Sequence, residues 1–186
     1  MAHELSYLLV DGENIDATLG ISILGARPAP EQRPRWDRVR DFTGRLWNKP
    51  CKGLFFLNAS SGVLPATFVQ ALLALNYRPI PLSGPADGSV VDVAIQRTLQ
   101  ALRTRDGNVL LASHDGDFLT DVEALLGTDR KVGILGFREF ISASYRELEA
   151  RGLEIHDLES EAHAFNTPLP RVRIIPVDEF DPADFL

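Results

Sequence analysis

Short apolar runs that are unbroken, with no polar alternation, narrow what this chain can fold into. They stand at residues 5–10 (LSYLLV), 53–57 (GLFFL), 77–82, 109–112 and 132–135, each bounded by polar, Gly or Pro residues. A strand with one face in water alternates apolar and polar side chains, so a continuous run reads as a strand covered on both faces. Between the runs, apolar residues recur at helical spacing: Val39, Phe42, Leu46 and Trp47; Phe68, Leu72, Leu73 and Leu75; Val91, Ala94, Ile95, Leu99 and Leu102; Phe118, Val122, Leu125 and Leu126. A further helix is expected over 142–150, stopped by Gly152, and an edge strand over 153–156. Strands alternating with helices make βαβ units. The predicted fold is therefore α/β, three layers built around a mostly parallel central sheet.

At 186 residues the chain has length for one domain with a sizeable core. Residues 1–165 carry the alternating pattern. Residues 166–186 form a Pro-punctuated tail, and 21–34, rich in Gly, Pro and Arg, reads as a loop after a short helix. The tail holds Val172, Ile174, Ile175, Val177, Phe180 and Phe185, too many apolar residues for a segment meant to stay in water. It is expected to lie as an ordered strap on its own body or on a second copy, which makes a homodimer a candidate assembly. Cys51 is the lone cysteine, so no internal disulfide forms and a cytoplasmic setting is the expectation. The opening MAHELSYLLVDGEN meets acidic residues too early for a signal peptide or a membrane span.

The net charge of −7 argues against a protein that coats nucleic acid through a broad basic surface. The charge is uneven, however. The stretch 27–52 contains Arg27, Arg33, Arg35, Arg38, Arg40, Arg45, Lys49 and Lys52 against Glu31, Asp37 and Asp41, which leaves it at +5 and the remainder at −12. A local basic strip on an acidic body suits a phosphate-bearing substrate, and Arg35 and Arg38 are its candidate substrate-binding members; a solvated helix face is the competing reading. Trp36 and Trp47 are read as one core face in preference to a base-stacking platform.

In an open parallel sheet, ligands bind outside the carboxyl ends of the strands, so the polar residues that follow each apolar run are the ones that matter. DGEN after the first run supplies Asp11, Glu13 and Asn14. SHDGDF after the fourth supplies Ser113, His114, Asp115 and Asp117. GSVVDV places Asp92 in the first turn of a helix, where the helix dipole favours a carboxylate. If the first and fourth strands are neighbours, Asp11, Asp92, Asp115 and Asp117 converge. Carboxylates that close raise one another's pKa, and a hard divalent cation relieves the repulsion. An oxygen-only ligand set points to Mg²⁺ or Mn²⁺, with Asn14 and Ser113 placed to hold substrate oxygens. Taken singly, each Asp is also a good helix cap or turn residue, and His114 has no ligand partner at metal-binding spacing. A phosphatase of related fold is disfavoured because no DxDx[TV] motif follows the first run; Glu13 stands two residues after Asp11.

LLVDGENID, then VVDVAI, then LLASHDGDF, in that order, resemble the NYN domain, a branch of the PIN-like nuclease superfamily. The resemblance spans about residues 5–158. It implies a PIN-like α/β/α fold and a Mg²⁺- or Mn²⁺-dependent endoribonuclease acting on RNA. It places Asp11, Asn14, Asp92, Asp115 and Asp117 in the polar site, with Ser113 beside them. The chain departs from the family pattern at Asp87-Gly88 before the central Asp, where many members have Lys-Gly, and at Thr98 and His114. Those departures carry the alternative, a PIN-like module that binds RNA or a protein and cuts weakly.

Overall fold

The computed structural model describes residues 3–85, 88–172 and 174–186; Asp87 lies outside them. Six strands form one sheet: β1 (Ser6–Asp11), β2 (Cys51–Asn58), β3 (Tyr77–Leu82), β4 (Asn108–Ala112), β5 (Val132–Gly136) and β6 (Glu154–Asp157). Their order is β3-β2-β1-β4-β5-β6, and every neighbouring pair is parallel. The fold is thus α/β, with helices on both faces of the sheet.

The unbroken runs are explained by two cores that share each strand. Leu8, Val10, Phe55, Leu110, Ala112 and Leu135 point to one face, where they meet α1 (Gly12–Ala17), α2 (Trp36–Leu46) and α3 (Ala66–Ala74). Leu9, Phe56, Val109, Leu111 and Ile134 point to the other, against α4 (Val90–Leu102) and α5 (Leu119–Glu123). Burying both faces stabilises the sheet at about 25 cal/mol per Å² of apolar area removed from water. At the β3 edge, Pro79 and Pro81 withhold N–H groups from further pairing.

Several expectations shift in detail. The segment 21–34 is not all loop, because a π-helical turn carries α1 on through Leu24. There Ile23 and Leu24 pack on the first core, and Gly25, with φ of 69°, closes the turn. The helix expected over 142–150 is a 3₁₀ helix, Ala143–Arg151, also ended by a left-handed glycine, Gly152. Trp36 packs edge-to-face on Phe55 at 5.1 Å, and Trp47 donates its ring N–H to Glu154 at 2.9 Å, so the pair belongs to the core and its rim.

The tail differs most. Leu169 is buried, and Arg171 pairs with Glu139 and Glu159 beneath the Phe137 ring. Beyond that anchor Val172, Ile174, Val177, Phe180 and Phe185 all stay exposed, so the strap does not cover its own body. Its two 3₁₀ turns, Val177–Glu179 and Pro182–Asp184, are too short to turn an apolar face inward. Among the described residues no helix is long and apolar enough to cross a membrane.

Candidate metal centre

The strand order reverses between β1 and β4. The chain runs outward from β1 through β2 to β3, then returns along α4 to place β4 on the other side of β1. Loops leaving the two central strands diverge there and open a crevice at the carboxyl edge. Ser6 to Val10 pair in register with Asn108 to Ala112, which brings Asp11 beside Ser113. Gly12 is needed for the turn out of β1, since a Cβ there would sit 2.5 Å from the Phe55 ring.

Three of the four expected carboxylates meet. One oxygen from each of Asp92, Asp115 and Asp117 lies within 4.8 Å of the other two. Asp92 reaches the site from the first turn of α4; the other two come from the β4–α5 connection. Asp115 accepts the Asp117 N–H at 2.9 Å and caps the single 3₁₀ turn Gly116–Phe118. The side chains of Asp92 and Asp117 accept no hydrogen bond from any described residue. Burial, and then the charges of Asp115, Asp117 and Glu13, raise the Asp92 carboxyl above its ordinary range.

Asp11 is outside that group of three. It lies behind it, 3% exposed, and accepts the Ser113 hydroxyl at 2.9 Å. Burial pushes its carboxyl up to about 6, helped by Asp92 and Asp115 and opposed by hydrogen bonds from Ser113 and the Asn14 backbone. The site is thus three carboxylates in reach of one ion, with a fourth, buried one near enough to feel the charges of Asp92 and Asp115. Carboxylates gathered this closely, with free lone pairs, fit a hard cation with oxygen ligands.

Sequence reasoning missed the parts that hold this arrangement still. His114 is buried, and its Nε2 accepts the Phe137 N–H at 2.8 Å. The ring proton therefore sits on Nδ1 and points at Asn14 Oδ1, 2.9 Å away, which also accepts the His114 backbone N–H at 2.8 Å. Burial lowers the imidazole to about 4, so it stays neutral and keeps that tautomer. One ring thus ties together the ends of β1, β4 and β5 and fixes the Asn14 amide. Gly136 leaves room for it, since a Cβ would come 2.7 Å from Nε2. Tyr145, fully buried, donates its hydroxyl to the Asp115 carbonyl at 2.6 Å and pins the loop from the far side.

The basic strip disperses. Arg38 donates to the carbonyls of His163 and Phe165 at 3.2 Å and to Asn166 at 3.0 Å; Arg35 donates to Asn166 at 3.3 Å and to Asp37 at 3.2 Å. Arg40 holds the Cys51 carbonyl at 2.7 Å, and Arg33 faces Asp16 at 3.8 Å. Among the described residues, neither Arg35 nor Arg38 contacts the aspartates. Cys51 opens β2, and burial pushes its thiol up to about 11, so it has little thiolate character.

No protein family model matches the chain, and no curated protein matches it. The fold is similar to the crystal structure of a protein of unknown function from Vibrio parahaemolyticus, with a TM-score of 0.62 and 20% sequence identity over 83% of this chain and 93% of that one. At that identity the likeness establishes the fold alone.

Proposed function

We propose that this chain is a metal-dependent ribonuclease, an NYN-type member of the PIN-like nucleases, whose Asp92, Asp115 and Asp117 hold a Mg²⁺ or Mn²⁺ ion. The observation that carries the reading is the convergence of three carboxylates within 4.8 Å at the reversal of strand order, two of them with no hydrogen-bond donor among the described residues. When bound, such a cation neutralises charge on a scissile phosphodiester and supplies a water of lowered pKa. The protein's own part is positional. Asp115, whose carboxylate caps the Gly116–Phe118 turn and whose carbonyl accepts the Tyr145 hydroxyl, is held in a fixed position. Asp11 places a fourth acid beneath the other three. Its raised proton affinity makes it the group best suited to accept a proton released during hydrolysis. Asn14, with its oxygen committed to His114, turns its amide N–H₂ away from that ring and can donate it to a phosphate oxygen.

Arg35 and Arg38 keep their proposed substrate role on topological grounds. α2 lies in the crossover from β1 to β2, so its amino-terminal end stands at the carboxyl edge of the sheet. The same sheet order serves dinucleotide-binding folds, but here β1 runs into Asp11-Gly12-Glu13 and has no Gly-x-Gly turn for a pyrophosphate. The position of Asp11, outside the group of three, favours a second reading: a module that binds RNA with little cleavage.

The deciding experiment incubates the full chain with end-labelled single-stranded RNA, single-stranded DNA and a small phosphate ester, in Mn²⁺, Mg²⁺ or chelator. RNA fragments that need the cation and vanish in Asp115→Asn establish the nuclease. RNA binding without fragments selects the module, and turnover of the ester alone overturns both.

A further inference from the structure

On the face of the sheet covered by α4, the helix stops short of the β3 edge and leaves a cleft of about 360 Å³. Its floor is apolar, formed by Tyr7, Leu54 and Ile80 on three adjacent strands. Its rim is basic, with Lys52, Arg78 and Arg105 around that floor and no acid among the lining residues. None of the three cations forms an ion pair or a side-chain hydrogen bond among the described residues. A patch of this kind calls for an occupant with apolar side chains and negative charge.

The chain carries such a segment. In the tail, the Phe180 and Phe185 rings lie 5.5 Å apart, tilted at 35°, and both remain exposed. Asp178, Glu179, Asp181 and Asp184 surround them, and none has a cationic partner among the described residues. Asp181 caps Ala183 N–H at 2.9 Å, so the aromatic pair is already shaped before it meets anything.

We propose that the acidic aromatic tail of one copy docks in this basic-rimmed cleft of a second copy, and that the exchange is reciprocal. Length favours the second copy over the chain's own cleft. The tail leaves the body at Arg171, beside the carboxyl ends of β5 and β6. The cleft lies at the opposite corner, near the amino ends of β1, β2 and β3. From Arg171 to Phe180 the chain spans at most roughly 32 Å when fully extended. The straight diagonal through the sheet takes up roughly 25 Å of that by strand spacing and rise, a chain confined to the surface travels further, and Phe180 and Phe185 stay exposed on their own chain.

The test uses two full-length double variants. Phe180→Ser/Phe185→Ser spoils the tail, Arg78→Glu/Arg105→Glu spoils the cleft, and neither touches the aspartates, so the outcome is independent of the nuclease reading. Light scattering over rising concentration should show the wild-type mass doubling and each variant staying at the mass of one chain. An equimolar mixture of the two variants, which combines one intact tail with one intact cleft, should regain association. The proposal is overturned by a wild-type chain that stays monomeric, by a dimer that neither variant disturbs, or by a mixture that fails to associate. A monomeric wild type whose melting temperature falls in both variants overturns it in favour of docking within one chain.

Discussion

At the end of β6, Asp157 is as buried as Asp11 is at the end of β1, yet the two carboxylates are treated in opposite ways. Asp157 takes the N–H of Arg138 on one oxygen and the N–H groups of Glu159 and Ser160, with the Ser160 hydroxyl, on the other, all between 2.8 and 3.1 Å. Its charge is absorbed by the turn it organises. Among the described residues Asp11 has one side-chain donor, Ser113, and near it stand Asp92 and Asp117 with none. The contrast separates a carboxylate that organises a turn from one, Asp11, that keeps a single side-chain donor at a position where burial makes donors necessary.

The largest expected effect sets these two ends against each other. Asp157→Ala leaves three backbone N–H groups and a hydroxyl without their acceptor and should lower folding stability by about 3 kcal/mol. Its response to Mn²⁺, measured as a rise in melting temperature above its own baseline, should be unchanged. Asp115→Asn keeps the oxygen that caps Asp117 and removes one like charge. Its metal-free stability should hold or rise while the Mn²⁺-induced shift disappears. Urea melts with and without Mn²⁺ check both, and equal losses of stability in the two variants would erase the distinction.

A smaller effect comes from protons. Asp11 binds a proton more tightly when folded, at about 6 against an ordinary 3.8, so the stability it contributes is full below about pH 4 and is lost as pH rises through 6. His114 has the opposite sign. Lowered to about 4 from 6.5, its contribution is full above pH 6.5 and is lost as pH falls towards 4. Between pH 4 and 6 the two slopes oppose, and the metal-free wild type should show a shallow profile. Asp11→Asn removes one of them. That variant should be more stable than wild type at pH 7, by about 1 to 3 kcal/mol, and should lose stability by about 1.4 kcal/mol per pH unit on acidification through this window. A flat profile in Asp11→Asn would mean that the imidazole titrates normally.

Much of the scaffold was legible because it depends on local pattern. Unbroken runs implied strands with two covered faces, and the residues just after the fourth run, with Asp92 at the start of α4, are the acids that come together. The pairing of β1 with β4, from which the convergence was argued, follows from the crossover along α4. What local pattern did not reveal is partnership across the chain. His114 serves Asn14 and Phe137, and Tyr145 serves Asp115, through contacts that no spacing encodes. The donors around Asp157 are closer in sequence, but Arg138 comes from the preceding turn. Of the two surfaces expected for the tail, its own body is not the one it covers, because counting apolar residues does not show which surface lies within reach. The basic strip is read from its charge, whereas two of its arginines, Arg38 and Arg40, are occupied by carbonyl groups.

The smallest effect decides whether the amino-terminal end of α2 belongs to the site or to the frame. Arg35→Glu/Arg38→Glu should loosen residues 163–166 and cost about 1 kcal/mol of stability. If the same guanidiniums also contact phosphate, RNA affinity should fall and the slope of log affinity against log salt should flatten by about one per lost contact. Unchanged affinity and slope would assign both arginines to the frame.

The order in which the parts of the sheet leave the ribosome has its own consequence. β1 is made first and ends at the centre, but its second neighbour, β4, begins only at Asn108. Until then Asp11 borders an open strand edge, and the residues that surround it, Ser113 through Asp117, do not yet exist. Pairing over such a separation is slow, because the loop must close before the contacts reward it. A nascent chain therefore passes through a long interval with β1 to β3 joined and the acidic crevice unformed. Any cation-dependent chemistry at that crevice can start only after the return through α4 is complete and β4 has paired with β1.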